Sequence, residues 1–133
     1  MRRSFTLIEC AAAIVVLGVG MVPLMQSFVD AASQTRHVIQ ASVASFLATE
    51  RMEQIVAARY RDAVGYTRVT TANFPNESSI SGFTTFARTV TVQTVNNALA
   101  ASGSDIGLKL VTVTVTWNGG TSQMRVARIF GDF

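Results

Sequence analysis

Met1-Arg2-Arg3-Ser4-Phe5-Thr6-Leu7-Ile8-Glu9 opens the chain, and the apolar run Cys10 to Met25 follows without a break. A short basic leader ends in a small residue. An aromatic residue then starts the apolar segment, and one carboxylate, Glu9, is set a helical turn inside it. A charge at the centre of a membrane helix costs ~2.5–3.5 kcal/mol on insertion scales, so an ionisable residue there implies a function and a partner. The segment holds no cation for Glu9. A free α-amino group at Phe5 would serve, if the chain were cut after Ser4.

Phe5 to Met25 matches the ~20 residues that span a bilayer. An ordinary secretory signal places a small-residue cleavage site after its apolar core. Here Gln26-Ser27-Phe28-Val29-Asp30 follows, with no Ala-x-Ala site, so the apolar stretch is expected to stay on the mature protein. Arg2 and Arg3 keep the N-terminus cytoplasmic, which places the rest of the chain on the other side. Gly18, Gly20 and Pro23 lie inside the span. Pro23 leaves the carbonyl of Val19 without its helical donor, so a kink is expected there.

Beyond the membrane, Asp30 to Tyr60 contains neither Pro nor Gly. Ile39, Val43, Phe46 and Leu47, then Met52, Ile55, Val56 and Tyr60, recur at helical steps and predict an amphipathic helix with an apolar stripe. A single helix from Phe5 to Tyr60 would be roughly 80 Å long. Arg61-Asp62-Ala63-Val64-Gly65 reads as its exit, with Gly65 available as a left-handed cap.

Thr67 to Ser81 is rich in Thr, Ser and Asn and reads as a connector. Strand signals follow at 83–95, 108–117 and 121–130. In the second, Val111, Val113, Val115 and Trp117 alternate with Thr112, Thr114 and Thr116, which separates an apolar face from a polar one. Asn118-Gly119-Gly120 supplies the positive φ angles of a tight hairpin. A sheet with one apolar face needs a cover, and the helix stripe provides it. The fold class is therefore α+β: a long N-terminal helix packed on an antiparallel sheet of three or more strands.

Ser4-Phe5-Thr6-Leu7-Ile8-Glu9 resembles the prepilin processing motif of type IV pilins and type II secretion pseudopilins. The resemblance implies cleavage after Ser4 by a prepilin peptidase and N-methylation of Phe5. It implies that Glu9 pairs with a terminal amine, commonly a neighbouring subunit's, during assembly. In that family Gly is the usual residue before the cut, and this chain has Ser4. Gly and Pro in the first half of the helix, here Gly18, Gly20 and Pro23, accompany local melting when a subunit enters a filament. Leu47 to Ile55, with its Glu50-Arg51-Met52-Glu53 core, and the hairpin Leu110 to Gly120 are similar to small minor subunits of the V and I types. The implied division is a leader over 1–4, a transmembrane and assembly half of the helix over 5–29, an amphipathic half over 30–62, and a connector with a C-terminal sheet over 63–133.

Catalytic chemistry is not expected. After Cys10 and His37 the chain has no further Cys or His, and the head's acids Asp62, Glu77, Asp105 and Asp132 are scattered. No nucleophile–base set, metal-ligand spacing or phosphate-binding Gly loop is present in the sequence. Asp105 with Asn96, Asn97 and Ser104 is a poor set for calcium, which takes six to eight oxygens. No cofactor, metal or small-molecule substrate is expected. The formal charge is +3, and loss of Arg2 and Arg3 leaves 9 basic residues against 8 acidic, or +1, so nucleic acid is not an expected partner. A binding surface for DNA uptake would require Arg88, Arg125 and Arg128 to cluster. The expected partners are other pilin or pseudopilin subunits, the prepilin peptidase and the bacterial inner membrane, with the head in the periplasm and then in a pilus or pseudopilus. The alternatives are a pilin-like subunit that binds DNA or a surface, and an uncleaved signal-anchored periplasmic protein.

Overall fold

A computed structural model of the chain describes residues 6–61 and 64–132. The leader, the expected processing pair Ser4 and Phe5, and the helix-exit residues Asp62 and Ala63 lie outside the described residues. Helix α1 runs Leu7–Tyr60, 54 residues. The chain divides into two compact units between Ile39 and Gln40.

In the first unit every described residue is exposed, from Thr6 through Ile39. An 18-residue window of α1 reaches a mean hydropathy of 2.3, so the helix is long and apolar enough to cross a membrane. The helix passes through Pro23. Four residues on, the Ser27 hydroxyl donates to the Pro23 carbonyl at 2.9 Å. Ser33 and Thr35 similarly donate to the carbonyls of Asp30 and Ala31. Such back-bonding satisfies hydroxyls within the helix itself. At Gly18 and Gly20 an added Cβ would meet nothing within 4 Å.

The second unit holds the rest of α1, the short α2 (Gly65–Arg68), and strands β1 (Ala87–Thr94), β2 (Leu108–Trp117) and β3 (Ser122–Gly131). The strands form one antiparallel sheet in the order β1-β2-β3. The first strand starts later than the Phe83 expected from sequence. Ile80 and Phe83 instead form a bridge, with the Phe83 N–H on the Ile80 carbonyl at 2.8 Å and the Phe86 N–H on the Phe83 carbonyl at 2.9 Å. At the hairpin, Asn118, Gly119 and Gly120 take φ of 53°, 65° and 89°. These are the left-handed values that the Asn-Gly-Gly sequence predicts.

The core joins Ala44, Leu47, Ala48, Met52 and Ile55 of α1 to Val90, Val111, Val113, Val115 and Trp117 of the sheet. Val113 and Val115 have no exposed surface, as the alternation of β2 requires. The helix stripe differs from the periodic reading. Phe46 is 65% exposed, and Tyr60 and Ile39 also face out, while Ala44 and Ala48 are fully buried. Ala44 and Ala48 are one turn apart and share a face. These small side chains share one core with the valines of the sheet. Phe46 lies on the opposite side of the helix, at roughly 100° per residue.

Gly65 also corrects its expected role. It begins α2 and has no positive φ. A Cβ there would lie 1.8 Å from the Arg59 carbonyl oxygen, so glycine is required by a backbone-to-backbone approach.

The burial pattern makes a paired prediction. Ala48→Leu should destabilise the protein by ~1–3 kcal/mol through overpacking. Phe46→Ala should change stability by less than about 0.5 kcal/mol. Denaturant unfolding followed by the emission of Trp117, the sole tryptophan, measures both.

Candidate functional site

Glu9 is held locally. The Thr6 backbone N–H and hydroxyl both donate to Glu9 Oε2 at 3.0 Å, and the Glu9 N–H approaches Thr6 Oγ1 at 3.4 Å. With α1 beginning at Leu7, Thr6 is the N-cap and Glu9 the third helical residue. This reciprocal pattern is a capping box, which satisfies two of the backbone donors that a helix start leaves free. The signal was legible in the sequence as Thr-x-x-Glu before an apolar run. Phe5 lies outside the described residues, so the expected pairing of Glu9 with an amine at that position has no geometry to report. Of the other residues singled out, Gly18, Gly20 and Pro23 all sit on the exposed first unit of α1.

In the head the main polar construction is a chain of charges at one side of the helix. Arg88 stands on β1 and is 5% exposed. It donates from Nε to Glu77 Oε2 at 2.9 Å, and from Nη1 to the Leu47 carbonyl at 2.9 Å and to Glu50 Oε2 at 3.0 Å. Its Nη2 pairs with Glu77 Oε2 at 2.6 Å. Arg51 closes the set through its ion pair with Glu77 Oε1. The Glu77 backbone also bridges to Arg88, with both N–H···O distances at 2.8 Å. Burial works to raise the Glu77 carboxyl, but hydrogen bonds and charge from Arg88 and Arg51 outweigh it and hold the group below its ordinary value. Asn76, next to Glu77, uses its side-chain oxygen to accept the Val90 N–H at 3.0 Å.

Two more buried cations organise the other end of the head. Lys109 continues the inner face of β2, two residues before Val111. Its Nζ donates to the carbonyls of Tyr66 and Val69 at 3.1 and 3.3 Å and lies 4.1 Å from the Tyr66 ring centroid. Arg59, near the end of α1, donates to the Gly131 carbonyl from Nε at 3.1 Å and Nη2 at 2.7 Å. The Tyr66 hydroxyl donates to Asp105 Oδ1 at 2.6 Å, and the Gly107 N–H donates to the same oxygen at 2.9 Å. Asp105, weighed as a calcium ligand, is thus used to fix its own loop. No cluster of three or more His, Cys, Asp or Glu suited to a metal occurs among the described residues.

The three arginines considered for DNA do not form a patch. Arg88 opposes Val115 and faces the core, Arg125 opposes Thr114 on the outer face, and Arg128 opposes Val111 on the inner face at the sheet's edge. Residues 125 and 128 differ by an odd number, so one strand must present them on opposite faces. The same parity argument, applied to Arg88, Val90 and Val92, would have marked Arg88 as core-facing from the sequence alone.

A long apolar N-terminal helix followed by a three-strand antiparallel sheet is a pilin-like architecture. Comparison with protein families, with curated proteins and with solved structures finds no match in any of the three.

The Arg88 network predicts a pH-dependent loss of stability. Because the folded value of Glu77 lies below the ordinary 4.5, its contribution is complete above that pH. It is lost as pH falls through the lower folded value. Arg88→Ala should cost about 1–3 kcal/mol, since it takes a donor from the buried Leu47 carbonyl and leaves Glu77 with Arg51. Glu77→Gln should lose less and should flatten the acid limb of the stability–pH curve, measured by denaturant titration between pH 3 and 7.

Proposed function

We propose that this protein is a minor pilin or minor pseudopilin. In this reading it is inserted in the bacterial inner membrane, processed at Ser4/Phe5, and incorporated into a type IV pilus or a type II secretion pseudopilus or its priming tip. Its work is assembly rather than turnover. One observation carries the reading. The apolar first unit of α1 leaves all its described side chains exposed and carries one acid, Glu9, in its first turn. Such a surface needs a bilayer or other helices as its solvent. Processing would put an α-amino group at residue 5, and the acid would neutralise an amine of this kind in an apolar bundle. The head, held on α1 by its core and by Arg88, would present a small surface to neighbouring subunits.

The second reading is an uncleaved signal-anchored periplasmic protein. The Thr6–Glu9 capping box favours it, because the acid then has a structural use without any amine. Two substitutions separate the readings. Gln can replace Glu in a capping box, so Glu9→Gln keeps the cap and removes only the charge. Glu9→Ala removes both. In cells that make the filament machinery, incorporation into the sheared filament fraction should fall at least tenfold for Gln and Ala alike. Unchanged incorporation of Glu9→Gln, with a defect only in Glu9→Ala, would reduce Glu9 to a helix cap.

A further inference from the structure

The two edges of the sheet are not finished alike. In β1, several of the backbone groups that point away from β2 meet partners. Arg88 bridges Glu77, the Val90 N–H reaches Asn76, and the Thr94 carbonyl accepts the Ser102 N–H at 3.0 Å. On the β3 side, the Asp132 N–H donates to the Gly107 carbonyl at 2.9 Å. Hydrogen-bonded pairs alternate in an antiparallel ladder. Residues 124, 126, 128 and 130 therefore bond to β2, while Gln123, Arg125, Ala127 and Ile129 aim their N–H and C=O groups outward. Gly131 ends this row, and its carbonyl is taken by Arg59. Among the described residues nothing covers the other four. An open row of this length is a template for another strand.

The side chains beside that edge are unfinished in the same place. Val111, Val113 and Val115 of β2 are fully buried. Their β3 neighbours Val126 and Met124, on the same face, are only half-buried. The helix covers the middle of the sheet and leaves its β3 margin partly open.

We propose that the β3 edge accepts an extended segment of another protein as a fourth, added strand. The seam's charge selects the occupant. Arg125 on one face and Arg128 on the other are exposed, and β3 contains no acid. A second copy of β3 would bring these arginines to a shared seam, where like charges destabilise pairing. The fitting segment alternates apolar residues, which cover Met124 and Val126 on the inner face, with acidic ones, which face Arg125 on the outer face. Its main-chain bonds supply affinity and its alternate side chains supply specificity. This inference rests on the head unit and does not depend on filament assembly.

Amide hydrogen exchange on the detergent-solubilised full chain tests it, with synthetic peptides of four Glu-Val repeats and four Lys-Val repeats as probes. The Glu-Val peptide should slow exchange at Gln123, Arg125, Ala127 and Ile129 at least tenfold, leave β1 unchanged, and bind at least tenfold more tightly than the Lys-Val peptide. Ala127→Pro removes an outward N–H without touching the β2 ladder, a position where an edge strand tolerates proline. It should abolish the protection while the circular dichroism stays native. Equal binding of both peptides, binding of neither, or protection elsewhere would overturn the proposal. So would slow exchange at these four amides in the protein alone, which would mean that its own chain or a second copy already fills the edge.

Discussion

The head depends on one guanidinium. Arg88 reaches from β1 to the Leu47 carbonyl and the Glu50 carboxylate of α1, and to Glu77 of the connector. Three segments far apart in sequence meet on one planar group with five donors in a fixed fork. A buried ion pair does not by itself add much net stability, because desolvation offsets the attraction. What it does here is fix geometry. The apolar contact of α1 with the valines of β2 is non-directional and would tolerate a shift of the helix. The Leu47 carbonyl bond sets the height of the helix over the sheet, and the Glu77 bridge closes the outer edge of β1 at the same point. Arg59 and Lys109 act likewise at the opposite end, with Arg59 tying α1 to the end of β3 and Lys109 tying the carbonyls of Tyr66 and Val69 to β2.

Much of this was legible in the sequence where a single period governs. The Val-Thr alternation of β2 set its two faces, and Asn118-Gly119-Gly120 set the turn. The helical stripe is less legible, because hydrophobicity alone favours Phe46 and Tyr60 over Ala44 and Ala48. Contact with a sheet selects for small size as well as apolarity, so the alanines are inside and the aromatic rings are outside. The commonest use of a glycine at a helix exit is positive φ, whereas the reason for Gly65 is the Arg59 carbonyl lying where a Cβ would be. That approach is made by distant backbone and leaves no local pattern. The buried cations were hidden for a similar reason, since partners such as the Leu47 and Gly131 carbonyls belong to the fold and not to a motif.

The apolar N-terminal part of α1 obeys a different constraint. Its described side chains pack on nothing within the chain, yet the segment is as apolar as a core. Glu9 gives that segment its only acid before Asp30. A capping box lowers the cost of carrying it, because Thr6 supplies donors from the chain itself. A carboxylate so held has one oxygen engaged with Thr6 and another with which to meet a cation. Local capping and pairing with an amine are therefore compatible uses of one side chain.

Both uses converge on the state of the N-terminus. The decisive measurement is the intact mass and N-terminal sequence of the membrane-extracted protein, made with and without a prepilin peptidase in the same cells. Filament assembly requires a chain that begins at methylated Phe5 only when the peptidase is present. A chain that still begins at Met1 in its presence would contradict the assembly reading and leave the helix as a signal anchor.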